Sequence, residues 1–229
     1  MKSKQTVSVL FMLTGIVFCS CLIVSNLLET KIIQLGPIAI TGGVLCFPIT
    51  YILNDCIAEV WGYRKARLVI WTAFAMNFMT VMLGLATVHL PSADYWRENE
   101  EHFNFVFSFA PRIAAASFIA FLTGSFINAY VMSRMKLSSG GRQFSLRAIV
   151  STIWGESADS LIFFPIAFTG MMPAVEMLKL MALQVALKTG YEIIALPLTI
   201  RVVKFIKKHE GTDVYDEKLS YNPLKIGEL

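Results

Sequence analysis

Acidic residues interrupt the apolar stretches of this chain at helical spacing. Asp55 and Glu59 lie one helical turn apart in TYILNDCIAEVWGYRKAR, and Glu156 and Asp159 lie three residues apart in STIWGESADSLIFFPIAF. Residues three or four positions apart share one face of a helix. Carboxylates on one face can pair with a buried cation or accept the hydrogen bonds of a ligand.

The cations in these stretches are too few to neutralise the carboxylates. Lys188 and Glu192 lie at i,i+4 in ALKTGYEIIALP, where they could form a structural salt bridge, and Arg112 could supply a further internal counter-charge. Five carboxylates therefore face two cations. Either some carboxylates are protonated, or a cationic or hydrogen-bond-donating ligand completes the set. Both alternatives predict a polar cavity between helices.

The elements that carry these residues have the composition of membrane helices. The 229-residue chain is 55% hydrophobic and 16% charged, with a mean hydropathy of +0.61, whereas about a quarter of a soluble domain is charged. Its apolar blocks are long enough for the ~20 residues that cross a bilayer, and they do not alternate as barrel strands do. The sequence predicts an all-α membrane protein. The net charge of +4 is attributed to loop lysines and arginines, so no nucleic-acid partner is predicted.

The apolar blocks also predict the organisation of the chain. Six transmembrane helices are expected at about 6–26, 38–60, 67–90, 108–132, 146–170 and 177–204. They form one domain, residues 1–208, whose first helix is retained because no small-x-small cleavage site follows it. Residues 209–229 form a charged tail that is expected to be mobile. Basic residues gather at the N-terminus, in alternate loops and in the tail, which predicts that both termini are cytoplasmic.

Depth in the second block distinguishes Asp55 from Glu59. With the block centre near Pro48, a rise of 1.5 Å per residue places Asp55 ~10 Å and Glu59 ~16 Å toward the cytoplasm. Glu59 is therefore expected near the interface in a counter-charge or gating role, where Arg64 or Lys65 could pair with it. Asp55 lies deeper, and a charge near a span centre costs about 2.5–3.5 kcal/mol.

Other side chains near the charges could complete a cavity. Asn26 and Asn54 supply amide groups, and glycines and prolines interrupt the second, fifth and sixth blocks, as is common around transporter sites. Aromatic rings that could stack on a flat or cationic ligand are Phe47, Tyr51, Phe163 and Tyr191. Most aromatic residues in spans nevertheless serve packing or lipid contact.

Motifs for catalysis, nucleotide binding and metal binding are absent from the sequence. No P-loop, Rossmann fingerprint, GxSxG or HExxH occurs, and the four cysteines form no CxxC pair. The three histidines lie in loops or at span ends. The sequence therefore predicts no catalytic residue, no metal and no cofactor.

Several segments resemble one transporter family in the same order. CFPITYILNDCIAEVWGYRKARLVIW is similar to the signature segment of the queuosine precursor transporter family, also grouped as vitamin-uptake transporters. Its later blocks resemble PRIAAASFIAFLTGSFINAYVMSRMK, GESADSLIFFPIAF and LKTGYEIIALPLTIRVVK. The resemblance runs from about Ser25 to Lys204. Asp159 keeps the family pattern, whereas Glu156 stands where many members have an uncharged residue.

The resemblance implies an inner-membrane importer of 7-deazaguanines that are salvaged for the queuosine modification of tRNA. The candidates are 7-cyano-7-deazaguanine, 7-aminomethyl-7-deazaguanine and queuine. The implied fold has six helices and is similar to the substrate-binding components of energy-coupling-factor transporters. The chemistry agrees, because one carboxylate can accept both the ring N–H and the amine of a guanine-like edge. The predicted substrate-binding residues are Asn26, Asn54, Asp55, Glu156, Asp159, Lys188 and Glu192.

Two other function classes stay open at this point. The chain could be the substrate-binding component of an ATP-driven vitamin or nucleobase transporter, although its first span lacks an Ala-x-x-x-Ala docking pattern and has only Gly15 and Cys19 at that spacing. A membrane enzyme is the least favoured class. The sequence leaves open the preferred precursor, the coupling ion and whether the chain forms homo-oligomers.

Overall fold

The computed structural model describes residues 7–35, 38–108, 111–170, 173–216 and 221–222 of the chain. Within them, the α-helices are α1 Val9–Leu28, α2 Phe47–Val88, α3 Arg97–Ser108, α4 Pro111–Ser138, α5 Phe144–Phe168 and α6 Ala174–Glu210. The strands β1 Ile32–Leu35 and β2 Ile38–Thr41 form an antiparallel hairpin. Short 3-10 turns span Gly42–Leu45 and Asp94–Trp96. Apart from the hairpin, the described regular structure is helical.

Three helices in the described part of the chain are long and apolar enough to cross a bilayer. They are found in Val9–Leu28, Phe47–Val88 and Ala115–Ser139. Helices α5 and α6 are not among them, but large apolar side chains such as Leu161 and Ile194 are exposed on their outer faces. In a bilayer such side chains face lipid tails. The prediction of an all-α membrane protein is confirmed, and the number of membrane passes stays a prediction.

Gly62 divides α2 into two helical segments, 47–61 and 63–88. Its φ of 82° and ψ of 170° are not helical, and the positive φ favours glycine. A Cβ at this position would also lie 2.8 Å from Asp216 Oδ1 and 2.9 Å from Val214 Cγ1. The break therefore falls in the interval between the predicted second and third spans.

The start of the predicted second span differs from the structure. Residues 38–46 were expected to be helical, but they form β2 and the 3-10 turn, and the helix begins only at Phe47. The β-branched residues of the two strands favour a pleated hairpin. Glycine is required at the turn, because a Cβ on Gly42 would lie 2.6 Å from the Leu28 carbonyl oxygen. Apolar content alone did not distinguish this hairpin from a helix.

Two glycines bring α4 and α5 into close contact. A Cβ on Gly124 would lie 2.8 Å from the Gly155 carbonyl oxygen, and a Cβ on Gly155 would lie 2.9 Å from the Gly124 carbonyl oxygen. Larger residues would keep the backbones apart. The contact places Asp159 of α5 against α4 and Asn128 of α4 against α5.

Aromatic rings fill the core between α1, α2 and α4. The ring of Phe121 lies 6.1 Å from that of Phe18, 5.4 Å from that of Phe47 and 6.4 Å from that of Tyr51, measured between centroids. All four side chains are buried. Phe47 and Tyr51, both candidates for ligand stacking, thus contribute to the core.

Candidate functional site

Ionisable side chains, most of them buried, form three groups along the bundle axis. Near the hairpin, the hairpin-side cavity is lined by Glu29, Asp159 and Lys188, and the buried Glu156 binds Lys188. In the middle, the carboxyl pair consists of Asp55 and Glu192. At the opposite end, the tail-side ion cluster consists of Glu59, Lys136, Arg147, Lys207 and Asp213. Helix α6 carries Lys188, Glu192 and Lys207 in that order, so it contributes one residue to each group.

The hairpin-side cavity has the lining of a small-molecule site. Its cavity volume is about 20 Å³ in this conformation, room for about one water molecule, so a base-sized ligand requires the cavity to widen. Its polar lining consists of Glu29, Ser117, Asp159, Ser160, Gln184 and Lys188. Its aromatic lining consists of Phe47, Phe163 and Phe164. A few polar groups on an aromatic wall can orient a flat ligand.

Lys188 binds two carboxylates of α5. Its Nζ lies 2.7 Å from Glu156 Oε2, 3.5 Å from Asp159 Oδ2 and 4.3 Å from the centroid of the Phe47 ring. The side chain of Glu156 is fully buried, whereas Asp159 lines the cavity. The alternative of a Lys188–Glu192 salt bridge within α6 is wrong, because Lys188 reaches across to α5.

The cavity holds more acceptors than donors. Glu29 accepts a 3.3 Å hydrogen bond from Thr41 Oγ1 and has no ion pair within the described ranges. The buried Ser160 Oγ and Gln184 Oε1 have no hydrogen-bond partner among the described residues. Buried polar groups are normally hydrogen-bonded. A ligand that donates hydrogen bonds or carries positive charge would therefore complete this cavity.

Asp55 and Glu192 form a contact between two carboxyl groups. Asp55 Oδ1 accepts a 2.7 Å hydrogen bond from Asn128 Nδ2, and Ser151 Oγ lies 3.5 Å from it. The Asp55 and Glu192 carboxyls lie next to each other, and Asp55 Oδ2, Glu192 Oε2 and the nearby Thr152 Oγ1 have no hydrogen-bond partner among the described residues. Neither acid has an ion pair in the part of the chain that the structure describes. Two such carboxylates repel unless they share a proton or contact a donor group of a ligand.

Glu59 is saturated by cations in the tail-side ion cluster. Arg147 binds both of its oxygens through Nη1 and Nη2, and Lys207 Nζ lies 2.6 Å from Glu59 Oε1. Lys136 and Lys207 also bind Asp213, at 2.5 Å and 2.9 Å. Glu59 is therefore a closed structural ion-pair centre, deep in the protein.

The predicted partners of Glu59 were wrong. Arg64 and Lys65 follow it closely in sequence, but both are exposed to the outside of the bundle. The break at Gly62 turns the next helical segment away, so Arg147 of α5 reaches Glu59 instead. Glu59 is fully buried within the protein, and its position near the membrane interface stays a prediction.

Two of the remaining predicted polar residues, Asn54 and Asn26, are not among the residues that line the cavity. Asn54 is buried and donates a 3.1 Å hydrogen bond to the Ser125 carbonyl oxygen, which joins α2 to α4. Asn26 is half-buried on α1. Arg112 is the second residue of α4, and its side chain is outside the described part of the structure.

The predicted aromatic residues also differ in whether they line the cavity. Phe163 lines the hairpin-side cavity together with Phe47. Tyr191 is 41% exposed and is not among the lining residues of that cavity. The i,i+4 spacing explains the difference, because α6 turns Lys188 and Glu192 inward and Tyr191 outward.

Sequence reasoning missed several residues that the fold brings to these groups. Glu29 and Gln184 line the cavity, Asn128 binds Asp55, and Arg147 binds Glu59. Gln184 lies four residues before Lys188, and this spacing could have identified it. Glu29 follows the first apolar block, so a search confined to charges within blocks did not include it.

Comparison with known proteins identifies the family. Residues 41–202 match the sequence model of the family described as "Putative vitamin uptake transporter". The chain belongs to this family. The matched region of this vitamin-uptake family contains the carboxyl pair and every charged residue of the hairpin-side cavity except Glu29. No solved structure shows a significant match.

Curated relatives of this family member confirm the resemblance to queuosine precursor transporters. A "Probable queuosine precursor transporter" of Bacillus subtilis is 26% identical over 189 residues, 81% of each chain. The "Queuosine precursor transporter" of Escherichia coli is 31% identical over 130 residues, 56% of this chain and 55% of the relative. A further "Probable queuosine precursor transporter", from Haemophilus influenzae, is 30% identical over 131 residues, 56% of this chain and 52% of the relative. All three are named as transporters, in agreement with the prediction of a non-enzyme.

Proposed function

We propose that this chain imports queuosine precursors across the cell's inner membrane for salvage into tRNA. The candidate substrates are 7-cyano-7-deazaguanine, 7-aminomethyl-7-deazaguanine and queuine. The observation that carries the proposal is the excess of carboxylates over Lys188 in the hairpin-side cavity and the carboxyl pair. The names of the three relatives support the same substrate class.

The cavity offers complementary groups for a 7-deazaguanine. The ring N–H and exocyclic amine of such a base can both donate to one carboxylate, and Asp159 is the predicted acceptor. Phe163 and Phe47 offer ring faces to the flat base. Asp55 and Glu192 form a second acceptor site deeper along the same path, and Lys188 balances part of the charge.

The proposed arrangement in the membrane has six passes and both termini in the cytoplasm. The passes are α1, the two segments of α2, α4, α5 and α6. This organisation follows the expected similarity to energy-coupling-factor substrate-binding components. It places the hairpin-side cavity toward the outside and the tail-side ion cluster toward the cytoplasm. Import then requires opening of the cluster after a precursor enters the cavity.

A nutritional complementation experiment tests the proposal. Cells that cannot synthesise queuosine precursors express the chain, receive one precursor, and are assayed for queuosine in tRNA by mass spectrometry. We expect queuosine to appear only with both the gene and the precursor. D159N should remove it, whereas E101Q, at an exposed acid of α3, should not. Absence of queuosine despite protein in the membrane would reject the proposal.

A second candidate function is a substrate-binding component of an ATP-driven vitamin or nucleobase transporter. The description of the matched family as vitamin uptake transporters favours including it. Purification from native membranes distinguishes the two. An ATPase that co-purifies in stoichiometric amount, with uptake that stops without it, would support this candidate over an independent importer.

A further inference from the structure

Glu29 is held against the cavity by the turn that follows β2. It comes directly after α1, and Thr41 Oγ1 donates to its Oε1 at 3.3 Å. A Cβ on Gly43 would lie 2.5 Å from Glu29 Oε1 and 2.6 Å from Glu29 Cγ, so the side chain passes directly against the Gly43 backbone. The hairpin and turn therefore position this carboxylate among the lining residues.

Glu29 is the cavity carboxylate with the least competition for a ligand cation. Lys188 is bound by Glu156 and Asp159, whereas Glu29 has no ion pair among the residues that the structure describes. Two further acceptors, Ser160 Oγ and Gln184 Oε1, line the same cavity, and neither has a hydrogen-bond partner in the described ranges. Because buried polar groups are normally hydrogen-bonded, the buried Ser160 hydroxyl is available to a donor group of a ligand.

We infer that Glu29 determines which precursor is preferred by binding the ammonium group of an aminomethyl-substituted base. This inference rests on the proposed function. An ammonium group donates up to three hydrogen bonds, and Glu29, Ser160 and Gln184 supply acceptors for it. A nitrile is neutral and only accepts hydrogen bonds, so the Glu29 carboxylate does not stabilise it. Glu29 thus favours the cationic precursor over the neutral one.

The test compares cationic and neutral precursors in the same cells. Cells expressing the full chain or E29Q take up labelled 7-aminomethyl- or 7-cyano-7-deazaguanine. We expect E29Q to lower the ratio of aminomethyl to cyano uptake by about ten- to a hundredfold, the effect of one charge-assisted hydrogen bond. The ratio does not depend on the amount of folded protein. E101Q is the matched control and should keep the original ratio.

The outcomes separate this inference from the proposed function. An unchanged ratio in E29Q, or an equal loss of both precursors with protein present in the membrane, would overturn the role of Glu29. Uptake of neither precursor by the unmodified chain would instead overturn the proposed function. If E29Q does not reach the membrane, Glu29→Asp retracts the carboxylate by one methylene. It should lower the ratio in the same direction, and an unchanged ratio again overturns the role.

A different observation concerns the tail and the helix break at Gly62. The break leaves backbone groups at both helix ends without intrahelical partners. Val214 N–H donates to the Val60 carbonyl oxygen at 3.2 Å, and Tyr63 N–H donates to the Asp216 carboxylate at 3.0 Å. Residues of the tail therefore cap the end of segment 47–61 and the start of segment 63–88.

Side chains of α4 hold the same part of the tail in place. Lys136 Nζ donates to the Val214 carbonyl oxygen at 2.7 Å and to the Glu59 carbonyl oxygen at 2.5 Å. Ser133 Oγ donates to Asp216 Oδ2. Residues 212–216 of the tail therefore make defined contacts with α2 and α4, and the mobility of the tail stays a prediction.

We propose that residues 212–216 form a latch that closes the tail end of the bundle and detaches during transport. The latch binds the two segments of α2 and, through Lys136 and Lys207, the ion cluster around Glu59. Asp55, one of the candidate ligand carboxylates, lies one turn before Glu59 on the same segment. Movement of that segment toward or away from a ligand therefore changes the latch contacts.

Hydrogen exchange of the unmodified protein in lipid vesicles tests the latch. Mass spectrometry follows a peptide covering residues 212–216, with and without a precursor that the same vesicles take up. We expect at least tenfold faster exchange of the latch amides during uptake, with little change in the exposed helix α3. Unchanged or slower exchange of the latch while uptake proceeds would overturn the proposal.

Discussion

The hairpin-side cavity and the tail-side ion cluster both bury acids, but they balance them differently. In the cluster, the single carboxylate of Glu59 contacts Arg147 and Lys207, and the two lysines of the cluster also bind Asp213. In the cavity, Lys188 is the cation for two acids of α5, and Glu29 has no ion pair in the described chain. The cluster is electrostatically complete, and the cavity is not.

This difference predicts a structural role for the cluster and a ligand-binding role for the cavity. Removing one partner of a complete buried ion pair leaves an uncompensated charge and destabilises the fold. An incomplete set keeps acceptors available, so its loss should reduce ligand binding more than stability. Stability and uptake, measured on matched variants, therefore test whether the cluster and the cavity differ in this way.

The largest loss of stability is expected from Arg147→Met. The substitution keeps a long side chain but removes the two hydrogen bonds to Glu59, and breaking a buried pair costs about 3–5 kcal/mol. Thermal unfolding of the purified protein in detergent measures the change. The control R64M removes an exposed arginine and should change stability by less than about 0.5 kcal/mol. Equal effects of the two variants would contradict the structural role of the cluster.

The two acids at Lys188 should respond differently to neutral substitutions. Glu156 Oε2 is the closer partner of Lys188, and its side chain is fully buried, so we expect E156Q to lower the free energy of unfolding by about 1–3 kcal/mol. Asp159 faces the cavity, so D159N should lower uptake about a hundredfold with a smaller loss of stability. Unfolding and precursor uptake are measured on both variants. If E156Q instead gave the larger loss of uptake and D159N the larger loss of stability, the roles assigned to the two acids would be reversed.

The helices and the inward position of the acids could be predicted from the sequence. Apolar blocks of bilayer length predicted helices, and the high cost of a charge facing lipid predicted that Asp159 and Lys188 point inward. The i,i+4 spacing of Lys188 and Glu192 correctly placed both on one inward face of α6. These inferences depend on local periodicity, which a single sequence contains.

The choice of partners could not be predicted in the same way. Lys188 binds Glu156 rather than Glu192, and Glu59 binds Arg147, because tertiary contacts between helices decide which charges meet. Docking of residues 212–216 depends on the unpaired backbone groups at Gly62, whose positive φ is not evident from hydropathy. Long-range contacts of this kind need the fold.

A smaller loss of stability is expected from Gly62→Ala, which disturbs the contacts of the latch without removing a charge. The conformation of Gly62, φ 82° and ψ 170°, costs a non-glycine residue about 1–3 kcal/mol, and the new Cβ would meet Asp216 and Val214 within 2.9 Å. We expect lower thermal stability and faster hydrogen exchange of residues 212–216.

Gly190→Ala is the matched control for the glycine substitution. Gly190 lies within α6, where an added Cβ meets no described atom within 4 Å, so alanine should be neutral or stabilising by up to about 1 kcal/mol. If both variants lose stability equally, the Gly62 conformation is not what holds the latch.

Mildly acidic pH is expected to have the smallest effect, which is measured on the hydrogen exchange of the latch. Burial raises the pKa of Asp213, but hydrogen bonds from Lys136 and Lys207 outweigh it and place this pKa below its ordinary value. A carboxyl with a lowered folded pKa stabilises the fold above its unfolded pKa, about 3.9, and loses that contribution only as the pH falls through the lowered pKa. Hydrogen exchange of residues 212–216, corrected for intrinsic rates, should therefore stay the same between about pH 5.5 and 7.5. Opening of the latch within that range would mean that another group of the tail-side ion cluster titrates and controls it.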